Sequence, residues 1–224
     1  MNRNAHPQIS SITESLKEHY TKTFAQYGAT PKGVDWGVEA SDLNLRYDNM
    51  LAVINRETSK PGPLIRLLDV GCGYGGLKRY ADEHRYRMDY VGVDVCRAMI
   101  SEARLLHPDS EFYSEDFFAF NPARKFDYVV CNGILTQKLE ASVMQMDLFA
   151  QQLIKKMFGL AEVGVAFNVM TTHVNYMAPN LYYRNPVELM GWCFSEITPH
   201  LKLNHAYRLF EYTMYLYRSR EQAA

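Results

Sequence analysis

The segment that most restricts the fold is Leu-Leu-Asp-Val-Gly-Cys-Gly-Tyr-Gly-Gly at residues 67–76, an apolar run that ends in a cluster of glycines. Glycine lacks the Cβ atom that would keep a ligand away from backbone N–H groups. Gly71, Gly73 and Gly76 therefore allow a strand to turn sharply into a helix whose positive end faces the ligand. The segment predicts a strand–turn–helix unit that binds a nucleotide-like molecule.

Short apolar strands alternate with helical periods along most of the remaining chain, a pattern typical of a parallel sheet with helices on both faces. The predicted strands are 64–70, 89–94, 111–115, 126–131 and 163–170, and the predicted helices are 75–84, 96–106, 140–158 and 186–197. Two β-rich runs, 200–207 and 209–217, follow with almost nothing between them, which suits an antiparallel hairpin. The sequence predicts a doubly wound α/β fold with a mostly parallel seven-stranded sheet and an antiparallel last strand.

The chain before residue 61 has a different pattern. Apolar residues at spacings of three and four predict an amphipathic helix over 9–27 and a second helix over 41–55, with a glycine-rich loop at 28–37. Pro61-Gly62-Pro63 ends this part. We expect residues 1–60 to form an N-terminal helical cap within the same domain as the α/β core of residues 61–224.

Composition limits the partners. The 224 residues are 47% hydrophobic, enough for one core, and the net charge of -1 supplies no basic field for nucleic acid. No apolar run reaches membrane-spanning length. The four cysteines are widely spaced and form no CxxC pair or other metal-ligand spacing. We expect a cytoplasmic protein with reduced cysteines, no nucleic-acid or membrane partner, no metal, and a monomeric or homodimeric state.

The glycine pattern alone does not identify the nucleotide, because it also satisfies the G-x-G-x-x-G pattern of dinucleotide-binding proteins. Asp94 ends the next strand, 18 residues after Gly76, where either an NAD or an adenosyl ligand would present its ribose hydroxyls. Asp69, two residues before Gly71, would repel a pyrophosphate but attract an ammonium or sulfonium group. Together with Asp116 at the third strand end, these acids favour a cationic ligand.

The sequence here resembles the class I S-adenosylmethionine-dependent methyltransferases over roughly residues 64–218. The residues that resemble the family's successive motifs are the glycine turn, Val-Gly-Val-Asp94, Ser-Glu-Asp116-Phe117 and the run from Phe126 to Gly133. The resemblance implies S-adenosylmethionine as cofactor. It places Gly71 and Gly73 at the methionyl part, Asp94 at the ribose and Asp116 at the adenine. From their positions in the sequence we also expect Asp69 to contact the cofactor and Phe117 to lie beside the adenine ring.

The run after the fourth strand departs from many small-molecule N-methyltransferases of this fold. It reads Cys-Asn132-Gly-Ile-Leu, where those enzymes carry an acid or an Asn-Pro-Pro motif. Asn132 can donate or accept hydrogen bonds but cannot take a proton at neutral pH. We expect Asn132 to contact the cofactor and to act in catalysis by positioning the acceptor near the methyl group.

Further candidates lie outside these motifs, and each also has a purely structural interpretation. In the cap, Tyr20 is expected to cover the cofactor or to be a packing ring, Trp36 to contact the cofactor, and Arg46 to pair with the methionyl carboxylate or to be a solvated helix residue. After the fifth strand, His173 is a candidate general base or an exposed loop histidine. Tyr176 is expected to wall an acceptor pocket, to contact the sulfonium by cation–π interaction, or to pack.

The function these residues predict is transfer of a methyl group from S-adenosylmethionine to a nitrogen or oxygen of a small molecule. The main alternative is a lyase or cyclase that uses S-adenosylmethionine alone, forming azetidine-2-carboxylate and methylthioadenosine without a methyl acceptor. A non-catalytic binding protein and an NAD-linked dehydrogenase remain further alternatives.

Overall fold

A computed structural model describes residues 7–37, 39–54 and 64–223 of the chain. Its first part contains the helices α1 (Pro7–Tyr27) and α2 (Ala40–Leu51), joined by a segment with a short 3-10 helix at Lys32–Val34. The second helix is shorter than the predicted 41–55. The predicted boundary at residue 60 and the Pro61-Gly62-Pro63 segment lie outside the described residues.

The second part of the chain alternates as the sequence predicts. Its strands and helices are β1 (Ile65–Val70), α3 (Gly76–Glu83), β2 (Met88–Asp94), α4 (Arg97–Leu106), β3 (Glu111–Ser114), β4 (Phe126–Cys131), α5 (Val143–Leu160), β5 (Ala161–Thr171), β6 (Tyr183–Arg184), α6 (Pro186–Glu196), β7 (Leu201–Asn204), β8 (Glu211–Tyr217) and α7 (Arg220–Ala223). Helix α5 begins three residues later than predicted because Ser142 and Gln145 form a capping box at its N-terminus.

The strands form one sheet in the order β3-β2-β1-β4-β5-β8-β7, and the two-residue β6 pairs with β5 beside this path. Neighbouring strands from β3 to β5 are parallel, whereas β8 lies antiparallel to both β5 and β7. The predicted doubly wound, mostly parallel α/β sheet with an antiparallel last strand is confirmed. The predicted hairpin partner 200–207 is a strand only over Leu201–Asn204.

The core lies on both faces of this sheet. On one face, Leu68 and Val70 of β1 pack in a cluster with residues of α5 and with Ile9, Ile12 and Leu16 of α1. On the other face, Leu67 packs with residues of α3 and with Tyr47 and Met50 of α2. The two N-terminal helices therefore bury their apolar faces on opposite sides of the sheet, since successive strand residues point to opposite faces.

The cysteines are all free and buried, as the spacing in the sequence predicts for core residues. None of the helices described is both long enough and apolar enough to cross a membrane.

Candidate ligand-binding site

A cavity opens at the carboxyl ends of β1, β2 and β4 and is covered by α1. It encloses about 960 Å³, the part open to solvent at its mouth included. The strand order reverses between β1 and β4, and ligands of open α/β sheets bind at such a switch point.

The glycine turn between β1 and α3 forms the floor of the cavity. Gly71 and Gly73 have φ angles of 75° and 55°, a left-handed conformation that favours glycine. The Gly71 N–H donates to the Val93 carbonyl at 2.8 Å, which joins the turn to β2. A Cβ atom on Gly71 would lie 2.7 Å from Ile134 Cδ1. The turn therefore requires glycine both for its backbone conformation and for its close approach to the opposite wall.

Asp94 ends β2 and holds this turn in place. One of its carboxylate oxygens accepts from the Gly73 N–H at 3.0 Å, and the other accepts from the Cys96 N–H at 2.7 Å. Burial raises the pKa of Asp94, and these backbone donors oppose the rise. Each carboxylate oxygen has two lone pairs, so Asp94 retains acceptor capacity for ligand hydroxyls.

Asp69 lies at the end of β1 and is 2% exposed. Its Oδ2 accepts a hydrogen bond from the Tyr90 hydroxyl at 2.6 Å. Burial raises the pKa of Asp69 to about 7; the Tyr90 hydrogen bond opposes this rise and the nearby Asp94 adds to it. A cationic ligand beside Asp69 would favour its ionised form.

Asp116 and Phe117 lie just after β3 and line the opposite end of the cavity. The Asp116 Oδ1 accepts from the Phe118 N–H at 2.9 Å, which fixes the turn that carries both residues. Phe117 is buried, and Phe118 also faces the cavity. This end thus combines aromatic surface with a carboxylate that retains a second oxygen for a ligand.

The cavity is strongly acidic. Its described lining contains the carboxyl groups of Asp69, Asp94, Glu115 and Asp116 and no lysine, arginine or histidine side chain. A pyrophosphate would meet like charges here without a compensating cation, whereas a positively charged ligand would be attracted. The lining therefore favours a cationic ligand over a dinucleotide.

Two polar atoms in the lining are buried without a hydrogen-bond partner among the described residues. They are Asn132 Oδ1, at the end of β4, and Thr13 Oγ1, on α1. Burying such an atom without a partner costs about 1–3 kcal/mol, so each is a candidate contact for a ligand.

The structure brings most of the predicted residues to this cavity. Tyr20 and Trp36 of the N-terminal part line it, together with the predicted glycines, acids, Phe117 and Asn132. Burial raises the pKa of Tyr20, so its hydroxyl stays protonated. Arg46 is not in the lining. Its Nε donates to Glu211 Oε2 at 3.0 Å. Its guanidinium stacks 3.9 Å from the centroid of the Trp36 ring, and Trp36 does line the cavity.

The structure does not bring the two candidates of the segment after β5 to the cavity. His173 is exposed, and its ring lies 6.1 Å from that of His205. Tyr176 is 79% exposed. Neither belongs to the lining.

Sequence reasoning missed several residues that line the cavity. Tyr47 belongs to α2, and its hydroxyl lies 2.1 Å from the point where a Cβ on Gly76 would stand. Thr13 and Leu16 precede Tyr20 on α1 at spacings of seven and four. That spacing places Thr13, Leu16 and Tyr20 on one face of the helix. It was the signal in the sequence that could have identified Thr13 and Leu16 as lining residues beside Tyr20.

Comparison with known proteins supports one interpretation of this site. Residues 68–153 match a family described as "Methyltransferase domain", a segment that runs from β1 into α5. Over 148 residues the chain is 28% identical to Rv1506c of Mycobacterium tuberculosis, a protein assigned as a methyltransferase; the match covers 65% of this chain and 89% of that protein.

Solved structures show the same fold. Magnesium protoporphyrin IX methyltransferase from Synechocystis PCC 6803, with bound SAM, superposes with a TM-score of 0.61 at 14% identity, covering 98% of this chain and 100% of that one. CalS10 from Micromonospora echinaspora, an amino pentose methyltransferase with bound SAM, gives a TM-score of 0.54 at 15% identity, covering 82% and 93%.

Proposed function

We propose that this chain is a class I S-adenosylmethionine-dependent methyltransferase that transfers a methyl group to a nitrogen or oxygen of a small molecule. The observation that carries the proposal is the cavity wall, which supplies four carboxyl groups and, among the described residues, no basic side chain. S-adenosylmethionine carries a sulfonium and an ammonium group, so this wall complements its charge.

The described residues fit this cofactor. Gly71 and Gly73 line the cavity without side chains, so the methionyl part can approach the backbone of the turn. In this proposal Asp69 binds the ammonium group and Asp94 binds the ribose hydroxyls. Asp116 accepts from the adenine amino group, with Phe117 against the ring.

The residues of the N-terminal part complete the cofactor site in this proposal. Tyr20 covers the cofactor from the side of α1 and Trp36 covers it from the side of α2, and together they exclude water. Arg46 lies behind Trp36, and its Nη1 is buried without a partner among the described residues. Pairing of Arg46 with the methionyl carboxylate, as the sequence predicts, would require its guanidinium to reach past Trp36, which lines the cavity where Arg46 does not.

The chemistry needs little help from a proton-transfer group. When bound, S-adenosylmethionine would supply the methyl group: the acceptor lone pair would bond to the methyl carbon, the carbon–sulfur bond would break with its electron pair left on sulfur, and the acceptor proton would pass to solvent. The protein's part is to orient the acceptor and to exclude water, because positive charge on the sulfur disperses in the transition state. Asn132 Oδ1 accepts a hydrogen bond from the N–H or O–H of the acceptor and so aims its lone pair. No histidine lines the described cavity, and His173 is not needed for this role.

The small-molecule assignment also rests on the neighbours, which include methyltransferases for a magnesium porphyrin, an amino pentose and plantazolicin. These acceptors differ widely. The shared fold therefore supports the reaction, and the acceptor must be found by experiment.

Calorimetric titration tests the cofactor, and product analysis tests the reaction. The purified protein should bind S-adenosylmethionine and S-adenosylhomocysteine but not NAD. Asp94→Asn should weaken both adenosyl ligands, because an amide keeps only one acceptor oxygen for two backbone N–H groups and the ribose.

Turnover is then measured by mass spectrometry with a panel of amines, phenols and carboxylates. S-adenosylhomocysteine should appear only when an acceptor is present. Methylthioadenosine formed from the cofactor alone would contradict methyl transfer and support the lyase or cyclase. Binding of NAD without binding of S-adenosylmethionine would refute the proposal.

A further inference from the structure

A buried ion pair stands behind the cavity wall at the end of the sheet where the cavity opens. Arg46 of α2 donates from Nε to Glu211 Oε2 at 3.0 Å, and the two side chains are 13% and 2% exposed. The residues are 165 positions apart in the sequence. Glu211 begins β8 and has no place in the cavity lining.

The second oxygen of Glu211 continues the contact into the sheet. Glu211 Oε1 accepts from Asn168 Nδ2 at 3.1 Å, and Asn168 Oδ1 accepts from the Gly133 N–H at 2.9 Å. Asn168 lies in β5 and is fully buried. Both polar ends of its amide are thus committed, one to Glu211 and one to the backbone that follows Asn132.

Trp36 closes these contacts into a ring. A Cβ on Gly133 would lie 2.4 Å from Trp36 Cζ2, so the indole packs directly against this glycine, whose φ is 103°. The Arg46 guanidinium lies over the same indole, 3.9 Å from the centroid of the Trp36 ring. The ring runs Glu211, Arg46, Trp36, Gly133, Asn168 and back to Glu211.

We propose that Glu211 is a positioning residue for the reaction proposed above, holding Trp36 and the Asn132–Gly133 backbone in register where the two meet in the cavity wall. Glu211 is not part of the cavity lining. It acts on Trp36 through Arg46 and on Gly133 through Asn168. The proposal rests on the proposed function, because its effect is read in cofactor binding.

The energetics favour a ring that acts as a unit. Removing one partner of a buried ion pair leaves an uncompensated charge, which is strongly destabilising to the local arrangement. Here the uncompensated charge would be the Arg46 guanidinium, beside a cavity that takes a cationic ligand. The Arg46 contact with Trp36 and the Asn168 contact with Gly133 would then lose their common anchor.

A double-mutant cycle tests this role. Glu211→Gln and Trp36→Leu are made singly and together, and the Kd for S-adenosylmethionine is measured by calorimetry, with melting temperatures recorded in parallel. Glu211 and Trp36 do not share a contact in the ring, so independent effects would multiply. We expect each single change to raise Kd about tenfold, and the double change to raise it little further than the larger single effect.

Asp127→Asn is the matched control. Asp127, at the start of β4, pairs with Arg66, at the start of β1, and neither residue lines the cavity. The substitution makes the same change from a carboxylate to an amide. It should lower the melting temperature without altering Kd. If Glu211→Gln fails to fold, the cycle of Arg46→Lys with Asn168→Ser applies the same criterion, because both residues contact Glu211 but not each other.

The outcomes separate the two proposals. A wild-type protein that binds no S-adenosylmethionine refutes the proposed function and this inference with it. Wild-type binding combined with a multiplicative double effect of about a hundredfold refutes this inference alone. Single variants within twofold of the wild type, or an equal loss in Asp127→Asn, also refute it.

Discussion

Asp69→Asn should remove a pH dependence that the buried carboxyl imposes on the folded protein. Asp69 is 2% exposed at the end of β1, and burial raises its pKa from the ordinary 3.8 to about 7. Asparagine has nearly the same shape, and its side-chain oxygen can still accept from the Tyr90 hydroxyl. The substitution therefore removes the ionisation and leaves the packing in place.

The sign follows from linkage. Between pH 4 and 7 the unfolded chain has released the Asp69 proton while the folded protein still holds it, so each rise in pH favours unfolding. The stability lost over this interval corresponds to about 4 kcal/mol and is complete above pH 7. Asp69→Asn should lack this loss. It should match the wild type near pH 4 and be more stable than the wild type at pH 8.

Cofactor binding should show the opposite trend. A cationic ligand binds ionised Asp69, so below pH 7 each unit of acidification requires a proton to be removed and weakens binding about tenfold. The wild-type Kd for S-adenosylmethionine should be roughly thirty times higher at pH 5.5 than at pH 8. Asp69→Asn should bind weakly at every pH, with a much flatter profile.

Two measurements check this. Urea unfolding is followed from pH 4 to 8, and calorimetric Kd values are measured from pH 5.5 to 8, each for the wild type and Asp69→Asn. Asp94 and Glu211 also have pKa values raised by burial, and both are present in the two proteins. The difference between the two curves therefore reports Asp69 together with its coupling to Asp94. Parallel stability curves, or parallel Kd profiles, would refute the reasoning.

Three further outcomes follow from single contacts. Gly71→Ala should lower the free energy of unfolding by about 1–2 kcal/mol because of the φ of 75° alone, and it should weaken cofactor binding. Gly159→Ala is the control: a Cβ there meets nothing within 4 Å, so the Kd should not change. Equal Kd values in the two variants would contradict this. Tyr90→Phe removes the hydrogen bond that lowers the pKa of Asp69, so the pH at which the Kd for S-adenosylmethionine begins to rise should move upward. An unchanged pH dependence of Kd would be inconsistent with that hydrogen bond. Ser142→Ala should lower the unfolding free energy by about 1 kcal/mol through its lost cap, and any change in Kd would count against a purely structural role.

Local patterns in the sequence were sufficient to predict the chemistry of the cavity floor. Asp94 ends β2 and Asp116 lies just after β3, and parallel strands place their carboxyl ends at one edge of the sheet. Once the alternation of strands and helices predicts a parallel sheet, these acids must converge with the glycine turn. The acidic character of the site could therefore be predicted without knowing any distance.

The candidates after β5 could not be placed in the same way. His173 and Tyr176 follow the strand end, where chain direction alone favours the ligand-binding edge, yet both side chains are exposed and lie outside the cavity lining. The path of the chain after a strand depends on what packs around it. Strand periodicity carries no information about that packing.

The sequence by itself determined the doubly wound sheet, the glycine turn and the acids at the strand ends, because these depend on residue periodicity and backbone sterics over a few positions. Only the tertiary structure decided that β8 pairs beside β5 and brings Glu211 to Arg46, 165 positions earlier in the chain. It also placed Tyr20 and Trp36 in the cavity wall. Such contacts join segments far apart in sequence, and they are selected by burial of the whole core rather than by any local preference.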